Sequence, residues 1–225
     1  MSADIRTILR GEQRSDEWFA QRLGCATGSG FAAVLSKPKK GSDTAESTGR
    51  RNYRISRALE IVTGVPEVVD LSYSRDVQNG VERESAARLA FEQDSGLLVE
   101  EVSFVRLNAQ RVGCSPDGLI GENAGLEIKC PNKATHFEYL SLEDDAPAEY
   151  RAQVQGCMYV TGRSHWYFAS YHPEYPPELQ LHWTCVERDQ KYIAELEAAL
   201  AKFSVDVADT VNTLNRMAIE RRPPC

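Results

Sequence analysis

No run of eighteen apolar residues occurs in the sequence, so nothing in it reads as a membrane-crossing helix. No cysteine lies in a C-x-x-C pair. Cys25, Cys114, Cys130, Cys157, Cys185 and Cys225 are scattered along the chain, which argues against a zinc or iron–sulfur site built from clustered thiols and against a disulfide framework. They read as reduced thiols, mostly buried as small apolar groups. The spacing of His136, His165, His172 and His182 fits no zinc motif either; these read as packing or surface groups. The first ten residues hold no apolar h-region, so no secretory signal is visible and a cytoplasmic location is expected. Internal repeats and low-complexity tracts are absent. What is present is a chain of 225 residues, 42% hydrophobic and 26% charged, which suits a single globular domain spanning 1–225.

The net charge of −7 excludes a sequence-blind coat for nucleic acid. The charge is unevenly spread, however. The first sixty residues carry 11 Lys and Arg against 7 Asp and Glu, and the excess is densest across the basic loop and helix at 36–57. There Lys37, Lys39, Lys40, Arg50, Arg51, Arg54 and Arg57 face only Asp43 and Glu46. Such a strip suits either a local grip on a polyanion or an ordinary solvated helix face.

Apolar spacing and caps predict helices from Ser15 to Leu23, from Thr48 to Thr63 and from Arg75 to Asp94, with a short one starting at Thr27 or Ser29. Three strands in a meander are expected at 97–107, 111–120 and 125–130. Helices near 133–142 and 148–160, strands at 165–171 and 179–187, and a long helix at about 189–217 complete the pattern. Helices before, between and after strands imply an α/β (α+β) fold with one central mixed β-sheet flanked by helices.

The chemistry concentrates in Ser115-Pro116-Asp117-Gly118 and Leu126-Glu127-Ile128-Lys129. Side chains alternate along a strand, so Glu127 and Lys129 share one face. Antiparallel pairing would bring Asp117 beside Glu127. Two carboxylates, with the Ile128 carbonyl, suit a hard divalent cation, and Lys129 could orient water or stabilise negative charge. The bare pattern is short, and a surface salt bridge would satisfy it equally.

These residues resemble the PD-(D/E)xK nuclease superfamily, and the chain more closely resembles the lambda exonuclease (YqaJ-type phage recombinase) family. The likeness rests on ordered blocks. Trp18 to Ser29 (WFAQRLGCATGS) resembles the family's N-terminal block, and Gly80 to Glu84 its Gly-x-x-x-Glu helix motif. Cys114–Gly118 and Leu126–Pro131 resemble its core, and Tyr150–Gln155 (YRAQVQ) its Gln-x-Gln helix.

The resemblance implies a restriction-endonuclease-like core and a Mg²⁺-dependent enzyme, with Mn²⁺ as a substitute and two ions per site. Asp117, Glu127 and the Ile128 carbonyl would bind metal, Lys129 would be the catalytic lysine, and Glu84 and Gln153 would complete the site. Residue type alone does not separate Glu84 from nearby Glu82. Gln153 and Gln155 lie about 200° apart on a helix, so at most one faces the site. Arg22, Thr27, Ser29 and Ser115 resemble a pocket for a 5′-terminal phosphate, although Ser29 could be a helix cap and Arg22 could pair with Asp16 or Glu17. Trp18 reads as a core anchor rather than a base-stacking residue. Arg50, Arg51, Arg54, Val77 and Tyr150 would follow the DNA. The implied activity is 5′-to-3′ digestion of one strand of linear double-stranded DNA, releasing 5′-mononucleotides. A trimeric ring of identical chains and a single-strand annealing partner in phage-type recombination are implied as well. The alternatives are another endonuclease of the superfamily and a non-catalytic module that binds DNA ends.

Overall fold

The computed structural model describes residues 6–41, 45–67, 75–142 and 146–221, with the backbone alone over 75–82. The side chains of Val77 and Glu82, and the whole of Cys225, therefore lie outside the described residues.

The chain order is β1 (Arg6–Leu9), α1 (Asp16–Arg22), β2 (Ala26–Thr27), α2 (Phe31–Leu35), α3 (Thr48–Thr63), α4 (Arg75–Ser95), β3 (Phe104–Leu107), β4 (Val112–Cys114), β5 (Gly118–Ile120), β6 (Ala124–Lys129), α5 (Lys133–Leu140), α6 (Arg151–Thr161), β7 (His165–Tyr171), β8 (Leu181–Glu187) and α7 (Gln190–Glu220). The helices start where capping side chains allow. Ser15 accepts from the Trp18 amide, Ser47 from that of Arg50, Asn132 from that of Thr135 and Asp189 from that of Tyr192. Gly64 and Gly162 end α3 and α6 in the left-handed conformation.

The α/β class holds, but the strands form two four-stranded mixed sheets rather than one, in the orders β1-β3-β4-β2 and β5-β6-β7-β8. The expected single strand at 111–120 is broken at Ser115-Pro116-Asp117, where the chain leaves the first sheet as β4 and enters the second as β5. Proline has no N–H to donate to a ladder, so a break there is chemically natural. The strand expected from 179 begins at Leu181, after a 3₁₀ turn at Pro177–Leu179.

Two apolar clusters flank this arrangement. The larger joins the first sheet to α2, α3, α6 and α7 through Phe31, Leu107, Met158, Trp166, Leu196 and Phe203. The smaller lies under α4, where Phe91 meets Leu126, Ile128, Ala169 and Tyr171. The two faces of β6 differ accordingly: Leu126 and Ile128 enter the α4 cluster, leaving Glu127 and Lys129 on the opposite face. On that face Gly125 lies flat under Trp166; a Cβ at Gly125 would overlap the indole ring. His136 and His172 are buried. Buried His136 joins the Ser170 hydroxyl at 2.7 Å and the Leu179 carbonyl at 2.9 Å.

Candidate active site

Strand pairing brings the expected groups together. Gly118 pairs with Leu126 across the antiparallel β5–β6 ladder, and the Asp117 amide donates to the Leu126 carbonyl at 3.2 Å. That register sets Asp117 against the Glu127–Ile128 peptide. Its Oδ2 accepts from the Ile128 amide at 2.6 Å. Lys129 Nζ forms a short ion pair with Glu127 Oε1, and Gln153 Nε2 of α6 donates to the same oxygen at 2.5 Å. The Lys129 ammonium also lies 4.9 Å from the centre of the Tyr150 ring, which packs on Phe168. Tyr150 thus lines the site from within.

Burial dominates the electrostatics. Glu127 is 1% exposed. Burial and the neighbouring Glu127 push the Asp117 carboxyl up to about 7, against the lysine and the Ile128 amide. Burial works against the Lys129 ammonium, but Glu127 and Asp117 outweigh it and raise its pKa. Glu84, on α4, is raised by burial and then by Asp117, while Arg14 and Arg88 oppose this. Arg88 approaches Glu84 to 3.4 Å and Arg14 to 3.9 Å. Sequence reasoning missed both arginines. Arg88 was detectable as an i,i+4 partner of Glu84, whereas Arg14 has no local signal.

The donor set suits a hard cation. Glu127 Oε2 is buried and has no hydrogen-bond partner among the described residues, an unusual state for a carboxylate oxygen. Asp117 and Glu127 would hold a magnesium-like ion, with the Ile128 carbonyl as the expected backbone ligand. Among the described residues no group of three or more His, Cys, Asp or Glu side chains is arranged around one point. The remaining positions of an octahedral ion would then fall to backbone, water or substrate oxygen, as is usual for Mg²⁺.

A second cluster adjoins the first. Arg22 donates to Ser115 Oγ at 2.9 Å and to Thr27 Oγ1 at 3.5 Å. Its guanidinium stacks 4.0 Å from the Trp18 ring, and Trp18 Nε1 donates to Ser115 Oγ at 2.9 Å. The Tyr53 hydroxyl accepts from the Thr27 amide at 2.9 Å. Among the described residues no carboxylate pairs with Arg22, so neither Asp16 nor Glu17 takes that role. Burial lowers its pKa. Ser29 is exposed on the 3₁₀ turn at Gly28–Gly30 and makes no hydrogen bond to these groups.

The two glutamines separate as their spacing requires. Gln153 faces Glu127, whereas Gln155 donates to the Glu187 carbonyl at 2.8 Å and accepts from the Asp189 amide at 2.9 Å. The basic strip divides: Lys37, Lys39, Lys40 and Arg51 are exposed, while Arg50, Arg54 and Arg57 are held by acids of the same chain. Arg50 pairs with Glu46 and, at 2.7 Å, with Asp206. Arg54 pairs with Glu46 at 2.8 Å and donates to Thr210. Arg57 pairs with buried Glu60 at 3.1 Å. Arg51 is exposed on the same helix. Arg50 and Arg54, both expected to follow DNA, are each held by acids of the same chain.

The profile of the YqaJ-like viral recombinase domain matches residues 17–164, which include Arg22, Glu84, Arg88, Asp117, Glu127 and Lys129 but not Arg14. The chain belongs to this family. An alkaline exonuclease (LHK-Exo) from Laribacter hongkongensis is 33% identical and superposes with a TM-score of 0.81 over 92% of this chain and 100% of that one. The structure of LHK-Exo in complex with dAMP superposes with a TM-score of 0.80 at the same identity and coverage. A phage related exonuclease from Haemophilus somnus 129PT, at 12% identity and a TM-score of 0.64 over 84% of this chain and 96% of that one, shares the fold. ExoD of Escherichia coli (strain K12) is 43% identical over 54 residues, which span 24% of this chain and 61% of that protein.

Proposed function

We propose that this chain is a nuclease of the alkaline-exonuclease type. It would degrade one strand of linear double-stranded DNA 5′ to 3′ from a 5′-phosphorylated end, releasing 5′-mononucleotides and leaving a 3′ overhang. The observation that carries this reading is the adjacency of two unlike sites across Ser115–Asp117. On one side stand paired carboxylates, a lysine and a bare buried carboxylate oxygen. On the other stands a half-buried arginine whose hydrogen-bond partners among the described residues are hydroxyl groups. The second site suits a terminal phosphate, through a guanidinium fork and two hydroxyls. The first suits the adjacent phosphodiester.

Divalent magnesium, or manganese in its place, would supply charge neutralisation and activation of water at Asp117 and Glu127. Gln153 fixes the orientation of Glu127. Lys129, held charged by both acids, is placed to stabilise negative charge that grows on the phosphate. Arg22, Thr27 and Ser115 anchor the end and so determine which bond lies at the acids. Ser29, exposed at the mouth of the turn, could join once phosphate is present, and Arg51 would meet the duplex backbone. The complex of LHK-Exo with dAMP, a 5′-mononucleotide, supports this class of product. A ring of three identical chains and a single-strand annealing recombinase complete the proposal.

The test compares 5′-phosphorylated linear duplex, 5′-hydroxyl duplex and covalently closed plasmid at matched salt, with and without Mg²⁺. Release of acid-soluble nucleotide should need Mg²⁺ and an end, and should favour the phosphorylated one. Equal digestion of closed plasmid would establish an endonuclease instead. Tight binding to ends without any hydrolysis would establish a binding module.

A further inference from the structure

We infer that Arg14 touches substrate: its guanidinium takes a non-bridging oxygen of the phosphodiester held at the acid cluster. The inference rests on the nuclease reading and adds a contact to that site.

Arg14 has an unusual backbone. It is one of two non-glycine residues with positive φ among the described residues, at 69°. A side chain there costs about 1 kcal/mol that glycine would avoid. Such strain persists where neighbours impose it, and it concentrates at functional positions. Here the neighbours are identifiable. Gln13 donates to the Val102 carbonyl at 3.1 Å and to the Pro116 carbonyl at 3.0 Å. Ser15 donates to the Glu12 carbonyl at 2.8 Å and caps α1. Both flanking residues are therefore fixed, and Gln13 is tied to the residue before Asp117. The same segment fixes Trp18 and Arg22 to Ser115. Arg14 and Arg22 thus flank Ser115-Pro116-Asp117 from one short stretch of chain.

The guanidinium is available for substrate. Its side chain is 52% exposed, its approach to Glu84 is 3.9 Å, and no acceptor among the described residues takes a hydrogen bond from it. Among the described residues none takes any of its five N–H donors. The location supplies a reason for a cation. Glu127 acts electrostatically on Asp117 and Asp117 on Glu84, so the three acids make a negative stretch that repels an incoming phosphodiester. Lys129 is already bound to Glu127, and Arg88 is shared between Glu84 and Glu101. Arg14 is the cation of this group that combines solvent access with unspent donors. A fork of that kind can leave a loose carboxylate for two phosphate oxygens without disturbing the fold.

The experiment compares Arg14→Gln, Arg14→Lys and Arg14→Gly with Lys129→Ala, using linear 5′-phosphorylated duplex and Mg²⁺. Single-turnover rate, duplex affinity and melting temperature are measured. Arg14→Gln should slow hydrolysis about a hundredfold while leaving affinity for the duplex within about threefold. Arg14→Lys should recover part of the rate. Arg14→Gly should be as slow as Arg14→Gln yet melt no lower than the unaltered protein, and dilute guanidinium ion should restore part of its rate. A purely structural role predicts the reverse: a lower melting temperature and no chemical rescue. Full activity of Arg14→Gln beside inactive Lys129→Ala would overturn this inference and leave the nuclease reading standing. Full activity of Lys129→Ala would remove both.

Discussion

Lys129 is held by Glu127, Asp117 and the face of Tyr150 at once, so its charge is secured by groups that also lower its freedom. Lys129→Ala is expected to lower hydrolysis by about 10²- to 10³-fold while the duplex still binds, which filter binding and single-turnover assays would separate. The neighbouring glutamines should respond in opposite ways. Gln153→Ala removes a donor from Glu127 Oε1 and should cost rate with little change in stability. Gln155→Ala strands the Glu187 carbonyl and the Asp189 amide. It should cost about 1–3 kcal/mol in urea denaturation with the rate per folded molecule retained. Arg22→Ala should mainly erase the preference for a phosphorylated over a hydroxyl 5′ end.

The helices α3 and α7 are clamped by charge as well as by packing, since Arg50 and Arg54 bridge Glu46 to Asp206 and Thr210. The hydrogen bond from Arg54, helped by Arg50, holds the Glu46 carboxyl below its ordinary value of 4.5. A carboxyl lowered in the folded state stabilises fully above its unfolded pKa and loses that contribution as pH falls through the folded value. Glu46→Ala should therefore cost about 1 kcal/mol near neutrality, or about 2–4 °C in Tm, and the difference should vanish on acidification through that lower value. Calorimetry across pH would read it. Asp206 lies 156 residues from Arg50, and no local pattern reveals such a pair. The same limit explains what else was illegible. Long periodic helices such as α3 and α4 were readable from caps and spacing. β1 and β2, four and two residues long, gain their identity from partners far along the chain. The run 111–120 reads as one strand from the apolar residues at its two ends, whereas the turn formers Ser115, Pro116, Asp117 and Gly118 between them mark the break. Asp117, Glu127 and Lys129 were legible because strand alternation is strict and the pairing local. Arg14 was not, because a left-handed arginine has no signature in spacing.

At the scale of the molecule, the acidic excess lies outside the first sixty residues. Contact with a polyanion is therefore confined to part of the surface, and duplex affinity should fall steeply with added salt. The proposed ring predicts a light-scattering mass near three times 25.1 kDa, and a stable monomer would remove the ring.

The passage of one chain through both sheets at Ser115–Asp117 also bears on synthesis. β1 pairs with β3, Arg6 opposite Leu107, so the first sheet stays unfinished until about half of the polypeptide has left the ribosome. Asp117 follows immediately, and its partners Glu127 and Gln153 come later still. A product truncated before residue 127 therefore lacks the acid pair, and a nascent chain assembles the proposed site only after its second half has begun to emerge.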